Sequence, residues 1–149
     1  MNNIFYILII GFIIFIIFWF QKSKVSKRKN RILVIDDDRS SGTILKANLN
    51  REGYEAICAL TGEQGLEIAR RNLPDLIILD VMLPGIKGRE VCAKLKEDSQ
   101  TKDIPIIFMT VKDSPYDVKA EIEAGAIAHL TKPVDYGELL SEIKKVLGS

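Results

Sequence analysis

Hydrophobic positions in this chain form one long unbroken run near the start, then short runs that alternate with helix-period stretches. RILVID (31–36) reads as a first strand. SSGTILKANLNREG follows, with Ile44, Leu45 and Leu49 at helical spacing and Gly53 at its end. YEAICAL (54–60) is a second strand, and TGEQGLEIARRN (61–72) a second helix with Thr61 as its N-cap. DLIILD (75–80) is wholly apolar between its two aspartates, the pattern of a strand buried in a parallel sheet. The alternation continues through helix KGREVCAKLKED (87–98), strand IPIIFMT (104–110), helix PYDVKAEIEAG (115–125), strand AIAHLT (126–131) and helix YGELLSEIKKVLG (136–148). Repeated strand–helix units of this kind predict an open, doubly wound α/β fold with a parallel sheet. Right-handed crossovers favour the strand order 2-1-3-4-5.

The long apolar run, IFYILIIGFIIFIIFWF (4–20), contains no charged residue. As a helix it would span roughly 26 Å, near the lower limit for crossing a bilayer. A cleaved signal peptide places its positive charge before the apolar core, whereas here MNN precedes it and the basic cluster follows. A core helix would carry a polar face, and this run has none. Trp19 and Phe20 at one end and Tyr6 near the other match an interfacial aromatic belt. The expected organisation is therefore a transmembrane anchor (1–21), a basic juxtamembrane linker (22–30) and a folded domain (31–149). The positive-inside rule places that domain in the cytoplasm, at the cell membrane and behind a single span. The linker is also expected to lie against anionic headgroups. It reaches at most about 35 Å, which keeps the domain close to the bilayer with the far strand ends turned away.

Net charge is +1, but Lys22, Lys24, Lys27, Arg28, Lys29 and Arg31 precede every acidic residue in the chain. The domain that follows is acidic and has no basic stripe or aromatic platform, which argues against nucleic-acid binding. Cys58 and Cys92 lie far apart without a histidine at ligand spacing, so they read as small buried thiols.

Ligands of doubly wound sheets bind at the carboxyl ends of the strands. Strand one ends at Asp36 and Asp37, strand three at Asp80, strand four at Thr110, and strand five beside Lys132. Three neighbouring carboxylates repel one another unless a cation intervenes. Their oxygens suit Mg²⁺, and one carboxylate can then act as a nucleophile toward phosphorus. Asp80, alone at the end of the central strand, is the candidate nucleophile; Asp36 and Asp37 serve the metal. Lys132 would hold the incoming phosphoryl oxygens and Thr110 would hydrogen-bond them. Asp38 is expected to start the first helix, as a cap or a first-turn acid.

Taken together and in order, VIDDD, LIILDVMLPGIKG, PIIFMT and LTKP, each at a strand end, resemble a response-regulator receiver domain over residues 31–147. That resemblance implies a flavodoxin-like (βα)5 fold and a phosphoryl group accepted on Asp80 from a histidine kinase or phosphotransfer protein. It further implies Mg²⁺ bound by Asp37 directly, by Asp36 largely through water, by Asp80 and by the backbone carbonyl of Met82. The Lys132–Pro133 bond resembles the family's cis peptide, and signalling would run through a downstream protein target. The sequence departs from the pattern in three places. Lys87, expected as a solvated loop lysine, stands where the family often has Asp. Val111 replaces the usual Ala or Gly and is expected to narrow access to Asp80. His129 occupies the position of a switching Tyr or Phe, so it and Thr110 are the candidate switch pair. No room for an output domain is expected after Leu147. Two other readings are a small haloacid-dehalogenase-like phosphatase and a receiver-fold scaffold that is never phosphorylated. The order of the motifs disfavours the first, and the complete Asp36, Asp37, Asp80, Thr110 and Lys132 set disfavours the second.

Overall fold

The computed structural model describes residues 9–16, 28–111 and 115–148. Its elements run β1 (Arg31–Ile35), α1 (Arg39–Arg51), β2 (Glu55–Ala59), α2 (Gly62–Asn72), β3 (Leu76–Asp80), α3 (Gly88–Glu97), β4 (Ile106–Thr110), α4 (Pro115–Glu123), β5 (Ala128–Thr131) and α5 (Tyr136–Leu147). The strands form a parallel sheet in the order β2-β1-β3-β4-β5, as the alternation of elements predicts.

β3 and β4 are buried along their whole length, so both faces of the central strands must be apolar. Leu33, Ile35, Ile77, Leu79 and Phe108 face Leu66, Val91 and Leu95 of α2 and α3. Ile32, Val34, Ile78 and Ile107 face Leu49, Leu139 and Ile143 of α1 and α5. Each such side chain contributes about 1.5–3 kcal/mol by leaving water. That clamps the sheet between two helical layers and fixes where its strand ends lie.

Helix starts follow local hydrogen-bonding chemistry. Asp38 caps α1, its carboxylate accepting the Ser40 and Ser41 amides at 2.9 and 3.3 Å. Thr61 caps α2 through the Gln64 amide, and Asp135 caps α5 through the Glu138 amide. Element ends are where the sequence reading differs. β4 begins at Ile106 rather than Ile104, because Pro105 has no N–H to give and only its carbonyl reaches the sheet, at the Ile77 amide. α4 closes at Glu123 and β5 opens only at Ala128. Between them Gly125 turns with φ +101° and the Ala126 amide returns to the Glu121 carbonyl.

Cys92 is buried and Cys58 half-buried, and burial pushes both thiols up, as expected of inert packing groups. Residues 9–16 are helical and exposed. Among the described residues no helix is long and apolar enough to cross a membrane. The rest of the expected span, and residues 22–27 of the linker, lie outside the described residues. The linker's last residues do meet the domain. Asp75 accepts the Arg28 guanidinium and the Arg31 amide, both at 2.7 Å, at the amino end of the sheet.

Candidate functional site

The register aligns Ile35 with Leu79, Asp80 with Met109 and Thr110 with Thr131, so the residues after each strand gather on one rim. Asp36 extends β1 by one residue, its amide bonded to the Ala59 carbonyl, and is only 3% exposed. Asp80 ends β3 and is 6% exposed. Two nearly buried carboxylates repel unless charge is balanced between them. Lys132, immediately after β5, supplies that balance. Its Nζ donates to Asp36 Oδ2 at 2.7 Å and to Asp80 Oδ2 at 2.6 Å. Burial pulls the ammonium down, but the hydrogen bonds and charges of the two aspartates outweigh it and hold the group above its ordinary value.

The second oxygens are also engaged. Asp36 Oδ1 accepts the Asp38 amide at 2.9 Å, and Asp80 Oδ1 accepts the Met82 amide at 2.8 Å. This last bond keeps the Met82 peptide beside the carboxylate. Asp37 is exposed, and one oxygen from each of Asp36, Asp37 and Asp80 lies within 4.8 Å of the others. An all-oxygen set with two fixed members and one open to water fits a hard, partly hydrated divalent cation.

A family model for the response regulator receiver domain matches residues 32–144. The chain belongs to this family. Receiver domains are signalling modules that accept a phosphoryl group on an aspartate and bind Mg²⁺ at an acidic pocket, the kind of pocket formed here. The chain is 42% identical over 116 residues to the response regulator PleD of Caulobacter vibrioides, covering 78% of this chain and 26% of that protein. It is 43% identical over 117 residues to the alkaline phosphatase synthesis transcriptional regulatory protein PhoP of Bacillus subtilis, covering 78% and 48%. The chain thus spans about a quarter to a half of these curated relatives. Among solved structures, a CheY-like receiver domain protein from Methanospirillum hungatei JF-1 superposes with a TM-score of 0.76 at 32% identity, covering 80% of this chain and 94% of that one. The chemotaxis protein CheY4 of Vibrio cholerae superposes at 0.75 and 30%, covering 79% and 98%.

The receiver fold brings Asp36, Asp37, Asp80 and Lys132 into one site. Thr110 lies on the same rim, fully buried, and its carbonyl accepts the Lys132 amide at 2.7 Å. The Lys132–Pro133 peptide is cis, as the resemblance implies. Asp38 caps a helix. Val111, beside Thr110, is largely exposed.

Two of these residues have partners that the sequence did not indicate. Lys87 is not simply solvated: its Nζ donates to the Leu83 carbonyl at 3.0 Å and braces the loop that carries Met82. His129 is engaged away from the rim, with its Nδ1 on Glu121 Oε2. Sequence reasoning missed Glu121 and Arg89 altogether. A glutamate in a helix is ordinarily solvated, and its fully buried position depends on how α4 packs.

Proposed function

We propose that this receiver domain takes a phosphoryl group on Asp80 from a histidine kinase or phosphotransfer protein and signals through a downstream protein. The carrying observation is the Lys132 ammonium bridging two buried aspartates at 2.7 and 2.6 Å beside the exposed Asp37. Asp80 presents a carboxylate oxygen to phosphorus, the bond between phosphorus and the donor nitrogen breaks, and the leaving imidazole takes a proton. Lys132 then has a phosphoryl oxygen to hold, and Thr110 offers its hydroxyl to another. Asp36, Asp37, Asp80 and the Met82 carbonyl would hold Mg²⁺, which when bound neutralises charge on the transferring group.

Phosphorylation by a small phosphodonor such as acetyl phosphate tests this reading. Wild type is expected to take up close to one phosphoryl group per chain in Mg²⁺ and none in EDTA. Asp80→Asn is expected to take up none in either. Equal uptake by both proteins would refute it.

The apolar run 4–20 supports an anchor that keeps the domain at the cytoplasmic face of the cell membrane, where local concentration near a membrane kinase is raised. The full chain is then expected to stay with membranes through high-salt and alkaline washes, and a chain lacking residues 1–21 to be released. Release of the full chain by salt alone would contradict the anchor.

A further inference from the structure

We infer that Lys87 is a positioning residue for the Mg²⁺ site: its ammonium sets the Met82 carbonyl for the cation by fixing the peptide that follows it. The inference rests on the reading of Asp36, Asp37, Asp80 and the Met82 carbonyl as the ligands of that cation. Local chemistry alone does not favour a lysine here. Lys87 is the N-cap of α3, where Ser, Thr, Asp or Asn ordinarily supplies an oxygen, and it makes no side-chain cap hydrogen bond. It also brings a positive charge to the positive end of the helix dipole. Its side chain turns back instead and donates to the Leu83 carbonyl at 3.0 Å. Among the described residues it forms no ion pair, so no acid draws the ammonium elsewhere.

Successive peptides of the loop show what that bond does. The Val81–Met82 peptide is held at both of its polar atoms. The Val81 carbonyl accepts the Gly88 amide at 3.0 Å, and the Met82 amide donates to Asp80 Oδ1 at 2.8 Å. The next peptide, Met82–Leu83, carries the ligand carbonyl. The one after it, Leu83–Pro84, has no N–H, so its carbonyl is the only polar atom by which it can be held. Lys87 holds it there. The ligand carbonyl is thus bracketed by a peptide tied to Asp80 and a peptide tied to Lys87. The sign of the effect separates this role from a plain electrostatic one. An ammonium near a Mg²⁺ site repels the cation, so its removal would tighten binding if charge alone mattered. Loss of the brace weakens binding.

The test uses the unphosphorylated, ¹⁵N-labelled full chain in detergent micelles, with Lys87→Met, which keeps the stem and removes the donor, and Lys87→Arg, which keeps both charge and donor. In EDTA, hydrogen exchange of the Met82 and Gly88 amides is expected to quicken in Lys87→Met and to stay at the wild-type rate in Lys87→Arg. Mg²⁺ is then titrated while the Leu83 amide, which shares its peptide with the ligand carbonyl, is followed by NMR. The half-saturating Mg²⁺ concentration is expected to rise about threefold in Lys87→Met, the scale of one net hydrogen bond, and to stay level in Lys87→Arg. Phosphoryl uptake at saturating Mg²⁺ is expected to be equal in all three proteins, since the lysine acts through the metal ligand and not on phosphorus. An unchanged or lower half-saturating concentration in Lys87→Met would overturn the positioning role while leaving the Mg²⁺ site standing. A Leu83 amide that does not respond to Mg²⁺ in wild type would overturn the reading of the site itself, and the role of Lys87 with it.

Discussion

Lys132→Met is expected to lower the stability of the domain by about 2–3 kcal/mol in EDTA and to make it strongly dependent on Mg²⁺. The substitution keeps most of the apolar stem and removes the one ammonium that touches both Asp36 and Asp80. Stranding a carboxylate in a fully buried pair costs about 3–5 kcal/mol. The lower figure applies because 23% of the lysine side chain is exposed and water screens part of the charge. The two aspartates would then repel across a site whose other members cannot neutralise them. Millimolar Mg²⁺ is expected to restore more stability to the variant than it adds to wild type, since the cation takes over the lost charge. The pH dependence has a definite sign. The ammonium is held above its ordinary 10.5, so wild type keeps this contribution below that pH and loses it as pH rises through the higher folded value. The variant has nothing to lose there. Urea unfolding with and without Mg²⁺, and in EDTA at rising pH, checks all three expectations; an unchanged midpoint in EDTA would show that the bridge carries no stability.

Gly88→Ala is expected to damage both fold and site although no side chain is lost. A Cβ at Gly88 would stand 2.1 Å from the Asp80 carbonyl oxygen and 2.8 Å from Val81 Cα. These are backbone atoms and cannot rotate away. The start of α3 or the end of β3 must shift, costing about 3 kcal/mol, the upper end of ordinary overpacking. Any shift of β3 moves Asp80 away from Lys132, so phosphoryl uptake should fall along with the urea midpoint. Gly42→Ala is the matched control: its Cβ would meet nothing nearer than Cys58 Sγ at 3.9 Å. Equal midpoints for the two variants would mean that the close approach at Gly88 is relieved without consequence.

The strands and the rim were legible in the sequence for one physical reason. Buried parallel strands must be continuously apolar, so a polar residue ending such a run marks the sheet's edge. Asp36, Asp80 and Thr110 all announce themselves in that way. Asp38 was legible as a helix start because capping is local chemistry. The Lys87–Leu83 contact was not legible, since it depends on the path of a loop. Nor was the burial of Glu121. Its helix has weak apolar patterning, and its partner His129 comes from a strand whose place against α4 is set only by tertiary packing. The boundary near β5 slipped because Ala126 and Ile127 are apolar but serve the turn after α4 rather than the ladder.

Asp80, and neither of the two aspartates at the end of β1, is expected to receive the phosphoryl group. Reduction of the phosphorylated chain with borohydride converts an aspartyl-phosphate to homoserine, which peptide mapping by mass spectrometry can place at a single residue. Homoserine is expected at position 80 in Mg²⁺ and at no position when Mg²⁺ is withheld. Homoserine at position 36 or 37, or phosphorylated chains with no residue reduced, would contradict it.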